Sequence, residues 1–475
     1  MPTRSGEPTA RELVTQLARR QVSSRDLTER YLGRIESVNG VLNAAVHVDP
    51  DAALAASDRA DRALASGERR PLLGLPLSIK DSIAVAGMPC RSGSWARERN
   101  VPERDATVVA RLREAGALVL CKTAVPEYTW STETESAFFG RTNNPYDPAR
   151  TCGGSSGGEA ALHAVEASPA GVGSDGLCSI RVPAHYCGTF GHRPTVRLVP
   201  ETGVWPTTKD TGMLDMSTLG PMGRSVDDLA LLLPIIAGPD DVDPLVDAAP
   251  IGDYRRVDIP SLRVGFYADD GVARPTPGTR AAVERAAEAL ADAGAAVEEV
   301  SPPPLDDVID IAFGMMAADG GAQARADLAG AVGRHTRQLA TLLDDLRSSS
   351  LTAEGFFALM RRWIALRSTL RRFVGAHDVL VCPVAAGPAP LHGRRPSDDE
   401  ELTDYGDFGY SFAFAIAGVP SVVVPAGSER GLPIGVQIVA GAMRDQVALA
   451  VGAALEEALA GAVLAPPTLA GVTRE

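Results

Sequence analysis

The sequence predicts an α/β fold: a mixed, largely parallel central sheet flanked by helices, with an inserted helical cap. Three observations carry that prediction. Short apolar runs such as Leu75–Ile79 and Ala117–Cys121 are bounded by glycine, proline or polar residues, as buried strands are. Segments with apolar residues at helical spacing lie between those runs, and helix-then-strand alternation argues for parallel pairing. One long stretch, residues 303–377, reads as almost wholly helical, which suggests a cap over one end of the sheet. No internal repeat or low-complexity linker divides the chain, so residues 1–475 read as a single domain.

Taken in order, Thr9–Ala18 and Ser24–Val38 are amphipathic helices with Thr9 and Ser24 as candidate N-caps. Asp51–Ala65 is an alanine-rich helix, Leu75–Ile79 a strand, Ala106–Ala115 a helix and Ala117–Cys121 the next strand. Thr195–Thr207 reads as loop, Ser225–Ile236 as helix, Ser261–Tyr267 as strand and Pro277–Ala293 as helix. Gly294–Val300 and Val379–Pro383 are strands on either side of the helical stretch. Pro388–Asp407 is a long polar loop. The apolar stretch Phe412–Gly427 is broken by Gly418, Pro420 and Pro425, so it reads as a turn leading into the strand Ser421–Val424 and not as a membrane span. Leu432–Val439 and Asp445–Leu459 close the chain as strand and helix.

Bulk properties narrow the function classes. The chain has 475 residues, 45% hydrophobic and 22% charged, as a soluble globular protein does. A net charge of −14 disfavours a nucleic-acid or anionic-membrane surface. Six cysteines without a CxxC pair fit a reducing compartment. With no apolar stretch near Met1 to act as a secretory signal, a cytoplasmic location is expected. The histidines show no metal-ligand spacing, and His185 and His192 read as structural. Gly116–Thr123 resembles a phosphate-binding loop, but Cys121 stands where that loop requires glycine, so no nucleotide site and no cofactor are expected.

Chemistry concentrates in Gly153–Arg181. Gly153-Gly154-Ser155-Ser156-Gly157-Gly158 is a glycine–serine turn, followed by a small-residue helix from Glu159 and a strand at Ala170–Gly173. A second tight loop, Ser174–Cys178, ends at Ser179. Glycine turns let a backbone approach a bound group without a Cβ in the way. Ser155 and Ser179 therefore read as paired hydroxyls in one pocket. Serine needs a base to become a nucleophile, and neither turn holds a histidine. Lys80, which ends the apolar run Leu75–Ile79, is the candidate base, because burial lowers a lysine pKa towards neutrality.

These three motifs, in this order and spacing, resemble the amidase signature family of serine hydrolases over nearly the whole chain. The resemblance implies a triad of Ser179 as nucleophile, Ser155 after a cis peptide bond as proton relay, and Lys80 as base. It implies that backbone amides of Gly176, Leu177, Cys178 and Ser179 form an oxyanion hole. Asp175 and Arg181 would orient the triad as an ion pair, and Tyr128, Thr129 and Trp130 would line the acyl pocket. The chain departs from the family at Leu177 and Cys178, where two glycines are usual. If either position required a positive φ, leucine there would be penalised.

The activity implied is hydrolysis of a small-molecule amide through a Ser179 acyl-enzyme, without metal. Two other readings stay open. One is an amidotransferase-type subunit, or an acyl transferase. The other is a catalytically silent scaffold, suggested by Leu177 and Cys178. No nucleic-acid or membrane partner is expected, and a homodimer stays open.

Overall fold

The computed structural model describes residues 7–208, 213, 215–398, 400, 402, 405–465, 467 and 469. Its first helices are α1 (Ala10–Ala18), α2 (Ser24–Leu42) and α3 (Pro50–Ala65), with strand β1 (Ala45–Val48) between the last two. Strands β2 (Pro76–Lys80) and β3 (Leu118–Thr123) flank α4 (Thr107–Glu114), and a small hairpin pairs β4 (Glu135–Ser136) with β5 (Gly140–Arg141). The central segment runs α5 (Gly157–Ala164), β6 (Ala170–Asp175), α6 (Arg181–Cys187), β7 (Phe190–Arg193), β8 (Thr218–Gly223) and α7 (Val226–Ile236). Then come β9 (Arg263–Phe266), α8 (Pro277–Asp292) and β10 (Ala296–Glu299). Four helices follow, α9 (Val308–Met316), α10 (Ala322–Asp327), α11 (Arg337–Arg347) and α12 (Ala353–Gly375), before β11 (Val379–Pro383). The chain closes with α13 (Gly409–Ala417), β12 (Ser421–Glu429), β13 (Leu432–Ala440) and α14 (Asp445–Ala458).

Among the described residues one eleven-stranded sheet dominates, in the order β1-β3-β2-β6-β8-β7-β12-β13-β11-β9-β10. It is mixed, as expected. Parallel pairings join β3, β2 and β6, and again β11, β9 and β10. From β6 through β8, β7, β12 and β13 to β11 the pairs are antiparallel, which helix–strand alternation did not anticipate. Sequence reading missed β8 because Gly220, Pro221 and Gly223 within it argue against a central strand.

Side chains alternate across the sheet, so each strand feeds two cores. Val422 and Val424 join α1, α2, α7, α8 and α14 on one face. Val423 and Val439 turn to the other face, against Met315 and Met316 of α9, Trp363 of α12 and the aromatic residues of α13. That second face holds Cys178 and Tyr186 and carries the site.

Three local expectations need correction. Residues 412–417 are helix, not turn, because α13 is buried on every side and ends at Gly418 in the left-handed region. Ser23, not Ser24, caps α2 by accepting from the Asp26 amide, while the Ser24 hydroxyl donates to Gly74 O at 2.8 Å. Strand β12 runs on to Glu429 because it pairs with β13 across a tight turn. Within the expected loop Pro388–Asp407, positions 399, 401, 403 and 404 lie outside the described residues, and its end at residues 406–408 is a 3-10 turn.

The start of α5 positions the site. Gly158 passes so near the end of β3 that a Cβ there would run into Ala124 N and lie 2.6 Å from Ala44 O. Both obstacles are backbone and cannot swing aside. Gly158→Ala is therefore expected to lower stability by about 1–3 kcal/mol, as overpacking does, read as a lower urea midpoint at unchanged slope.

Candidate active site

Lys80 is the last residue of β2 and its side chain is fully buried. Its Nζ lies 2.6 Å from Ser155 Oγ and 2.9 Å from both Ser156 Oγ and Ser174 Oγ. No carboxylate lies within ion-pair distance of it among the described residues. Burial pushes the Lys80 ammonium down to about 7, and the charges of Asp175 and Glu159 only partly oppose this.

The peptide bond between Gly154 and Ser155 is cis. A Cβ on Gly154 would lie 2.7 Å from Ser131 O, so only glycine lets the turn sit against the loop before it. Ser156 N donates to Ser179 O at 3.1 Å, which ties the first turn to the second. Ser155 and Ser179 line one cavity with Ser174, Gly176, Leu177 and Cys178. Among the described residues no hydrogen bond joins the two hydroxyls of Ser155 and Ser179 directly.

None of Gly176, Leu177, Cys178 and Ser179 has a positive φ. Leucine and cysteine therefore occupy the loop without left-handed backbone, and the penalty foreseen for Leu177 does not arise. Cys178 is buried, while Leu177 is half-buried on the cavity wall.

Asp175, at the end of β6, holds this loop from behind. Arg181 meets both of its oxygens at 3.0 Å, and Arg193 Nε lies 3.3 Å from Oδ1. The amide of Ile180 donates to the same carboxylate at 3.1 Å. Arg181 also donates to Leu177 O, and to Ser411 O at 2.6 Å. One fully buried carboxylate thus anchors the turn that carries Ser179. Burial would raise its pKa, but the two guanidiniums and the amide outweigh that and hold it below the usual range.

Tyr128, Thr129 and Trp130 border the same cavity. Tyr128 and Thr129 have φ of 61° and 58°, and Tyr128 Oη donates to Asp327 at the end of α10 at 2.6 Å. Sequence reasoning missed most of the remaining wall. Trp205, Phe313, Met316, Leu342, Tyr405 and Phe412 come from five separate segments that meet only in the fold. It also missed Ser156 and Ser174 as partners of Lys80, and Glu159. Ser156 and Ser174 were visible as serines in glycine turns, and Glu159 as the one acidic residue in an otherwise small-residue helix.

Glu159 lies behind Lys80. Ser78 Oγ donates to it at 2.6 Å and Thr123 Oγ1 at 2.9 Å, joining α5 to β2 and β3. Burial raises its carboxyl to about 7. His185 bonds Gly435 N and Gly387 O, and His192 bonds Asp445. Among the described residues, no group of three or more His, Cys, Asp or Glu side chains is placed to hold a metal, and no helix is long and apolar enough to cross a membrane.

Asp175→Asn would leave two buried guanidiniums short of a counter-charge. A loss of about 3–5 kcal/mol is expected, measured by urea unfolding at pH 7. Because the folded carboxyl is held below its ordinary value of about 3.9, the wild-type contribution is full above that pH. It fades as pH falls through the folded value, so the gap between wild type and variant should narrow in acid.

Comparisons with known proteins give the family of the chain. The family described as Amidase matches residues 26–449. A glutamyl-tRNA(Gln) amidotransferase subunit from Geobacter metallireducens is 32% identical over 481 residues, covering 95% of this chain and 97% of that one. The same subunit from Acidothermus cellulolyticus is 34% identical, covering 95% of this chain and 94% of its own. Among solved structures, a bacterial aryl acylamidase of the amidase signature family superposes with a TM-score of 0.86 at 25% identity, covering 95% of this chain and 96% of that one. A peptide amidase bound to the competitive inhibitor chymostatin does so with a TM-score of 0.80 at 29% identity, covering 98% and 99%. The chain belongs to the amidase signature family.

Proposed function

We propose that the protein is an amidase that cleaves a carbon–nitrogen bond in a small-molecule amide through an acyl-enzyme on Ser179. The observation that carries this reading is a fully buried Lys80 amine 2.6 Å from Ser155 Oγ, in a cavity that Ser179 shares. Neutral Lys80 takes the Ser155 proton as Ser155 takes that of Ser179, and Ser179 Oγ bonds to the substrate carbonyl carbon. The relay requires the two hydroxyls to close to hydrogen-bond distance, and catalytic hydrogen bonds often tighten only once substrate is bound.

The backbone amides of residues 176–179 are the donors assigned to the oxyanion, an arrangement in which each donor is typically worth about 10²–10³ in rate. The proton then returns from Lys80 through Ser155 to the departing nitrogen, and the C–N bond breaks. Water, deprotonated by the same relay, attacks the ester carbonyl and frees the acid and Ser179. Asp175 and Arg181 act as positioning residues. The helices between residues 303 and 377 act as a cap, a role supported by Phe313, Met316 and Leu342 on the cavity wall.

Ser179→Ala should lower kcat/KM by more than about 1000-fold, with the unfolding midpoint kept. In the wild type, kcat/KM should rise with pH through about 7 and level off above it, because Lys80 acts as the neutral amine. A rate flat from pH 5 to 9 would contradict the assignment of the base.

A second reading, membership of an amidotransferase assembly, is favoured by the names of the relatives at 32–34% identity. It expects a second polypeptide to copurify with the chain from its native source. Acyl transfer in place of hydrolysis would show as an amide product when a competing amine is added. Against the scaffold reading stands the loop backbone, which takes up Leu177 and Cys178 without a positive φ. We take these two side chains to narrow the pocket. The double change Leu177→Gly with Cys178→Gly should then broaden the range of accepted amides, raising kcat/KM on a bulky amide by about tenfold, the scale of one misfitted group.

A further inference from the structure

Building on the reading of Ser179 as nucleophile, we propose that the substrate class is an uncharged amide bearing a flat aromatic group, seated between two sets of aromatic side chains. The first set is Tyr128, Trp130 and Trp205. Tyr128 stands edge-to-face to Trp130 at 4.8 Å and to Trp205 at 5.1 Å between ring centroids. The second is Phe313, Tyr405 and Phe412, with Phe313 at 4.9 Å from Tyr405 and 6.3 Å from Phe412. All six line the cavity that holds Ser155 and Ser179.

Aromatic rings attract one another in edge-to-face and offset arrangements beyond what buried area alone supplies. A ring held between two such sets gains these contacts, and a short aliphatic group does not. Tyr128, the ring that both tryptophans of the first set contact, is anchored by its Oη donating to Asp327 of the helical segment.

The same wall disfavours an amino-acid amide. Among the described lining residues Glu201 is the one charged side chain, and its carboxylate accepts from Ser217 Oγ and Thr208 Oγ1. Glutamine would bring an ammonium and a carboxylate into this wall, and each is expensive to strip of water unless paired.

The test compares kcat/KM of the full chain on 4-nitroacetanilide, benzamide, butyramide and L-glutamine. At least one ring-bearing amide should exceed butyramide by about tenfold or more, with glutamine lowest. The better of 4-nitroacetanilide and benzamide identifies whether the ring lies on the amine or the acyl side. Phe313→Ala should shrink the ratio of ring-bearing to aliphatic amide, chiefly through KM. Phe313→Leu, which keeps bulk but removes the ring, should shrink it too and serves if the alanine variant unfolds.

Butyramide or glutamine equalling the ring-bearing amides would overturn the proposal. So would a ratio unmoved in a folded Phe313→Leu. Labelling by a serine-directed fluorophosphonate, lost in Ser179→Ala, separates the two levels. Labelling without aromatic preference sinks the substrate class alone. Neither labelling nor turnover sinks the nucleophile assignment and this inference together.

Discussion

A lysine amine with only hydroxyls and a carbonyl for company is the constraint around which the site is arranged. Lys80 is fully buried, and its polar contacts are Ser155, Ser156 and Ser174. A carboxylate in contact would hold it as ammonium. Asp175, the charge that most raises the Lys80 pKa, makes its contacts to Arg181 and Arg193 instead. Desolvation then wins, and the amine is left able to accept a proton near neutral pH.

The glycine turns follow from that arrangement. Three hydroxyls can converge on one nitrogen only if the backbones that carry them come close to one another. Gly154 against Ser131 O and Gly158 against Ala124 N show how little space remains. Gly171, where a Cβ would meet Ser78 O and the Glu159 carboxylate, lets β6 lie against the same network. The loop from Gly176 to Ser179 is held at its back by the Asp175 contact to the Ile180 amide and by the Arg181 contact to Leu177 O, bonds that involve none of its side chains. This is why two larger residues can stand there without upsetting the backbone.

The helical segment between β10 and β11 is bonded to one wall of the cavity. Its contacts with the loop at residues 127–131 are polar and specific. His335 pairs with Glu127 at 2.8 Å, Tyr128 donates to Asp327, and Ser131 donates to Gln338 at 3.0 Å. Phe313, Met316 and Leu342 then bring apolar surface to the cavity. The loop and the helices therefore shape the pocket jointly.

Much of this was legible in the residues alone, because its causes are local. Apolar periodicity located α8, β11, β13 and α14, and the Thr9 cap marked the start of α1. The glycine–serine turns and the lysine at the end of an apolar run pointed to Lys80, Ser155 and Ser179 because turn chemistry and desolvation act at short range along the chain. What only the tertiary structure decided depends on distant segments meeting. The sheet order, with antiparallel pairs through its middle, came from pairings that outweighed Pro221. The convergence of Ser156 and Ser174 on Lys80, and of Trp205, Phe313, Tyr405 and Phe412 on one cavity, rests on side chains far apart in sequence. No periodicity encodes such meetings; they exist because two faces of one sheet had to be covered.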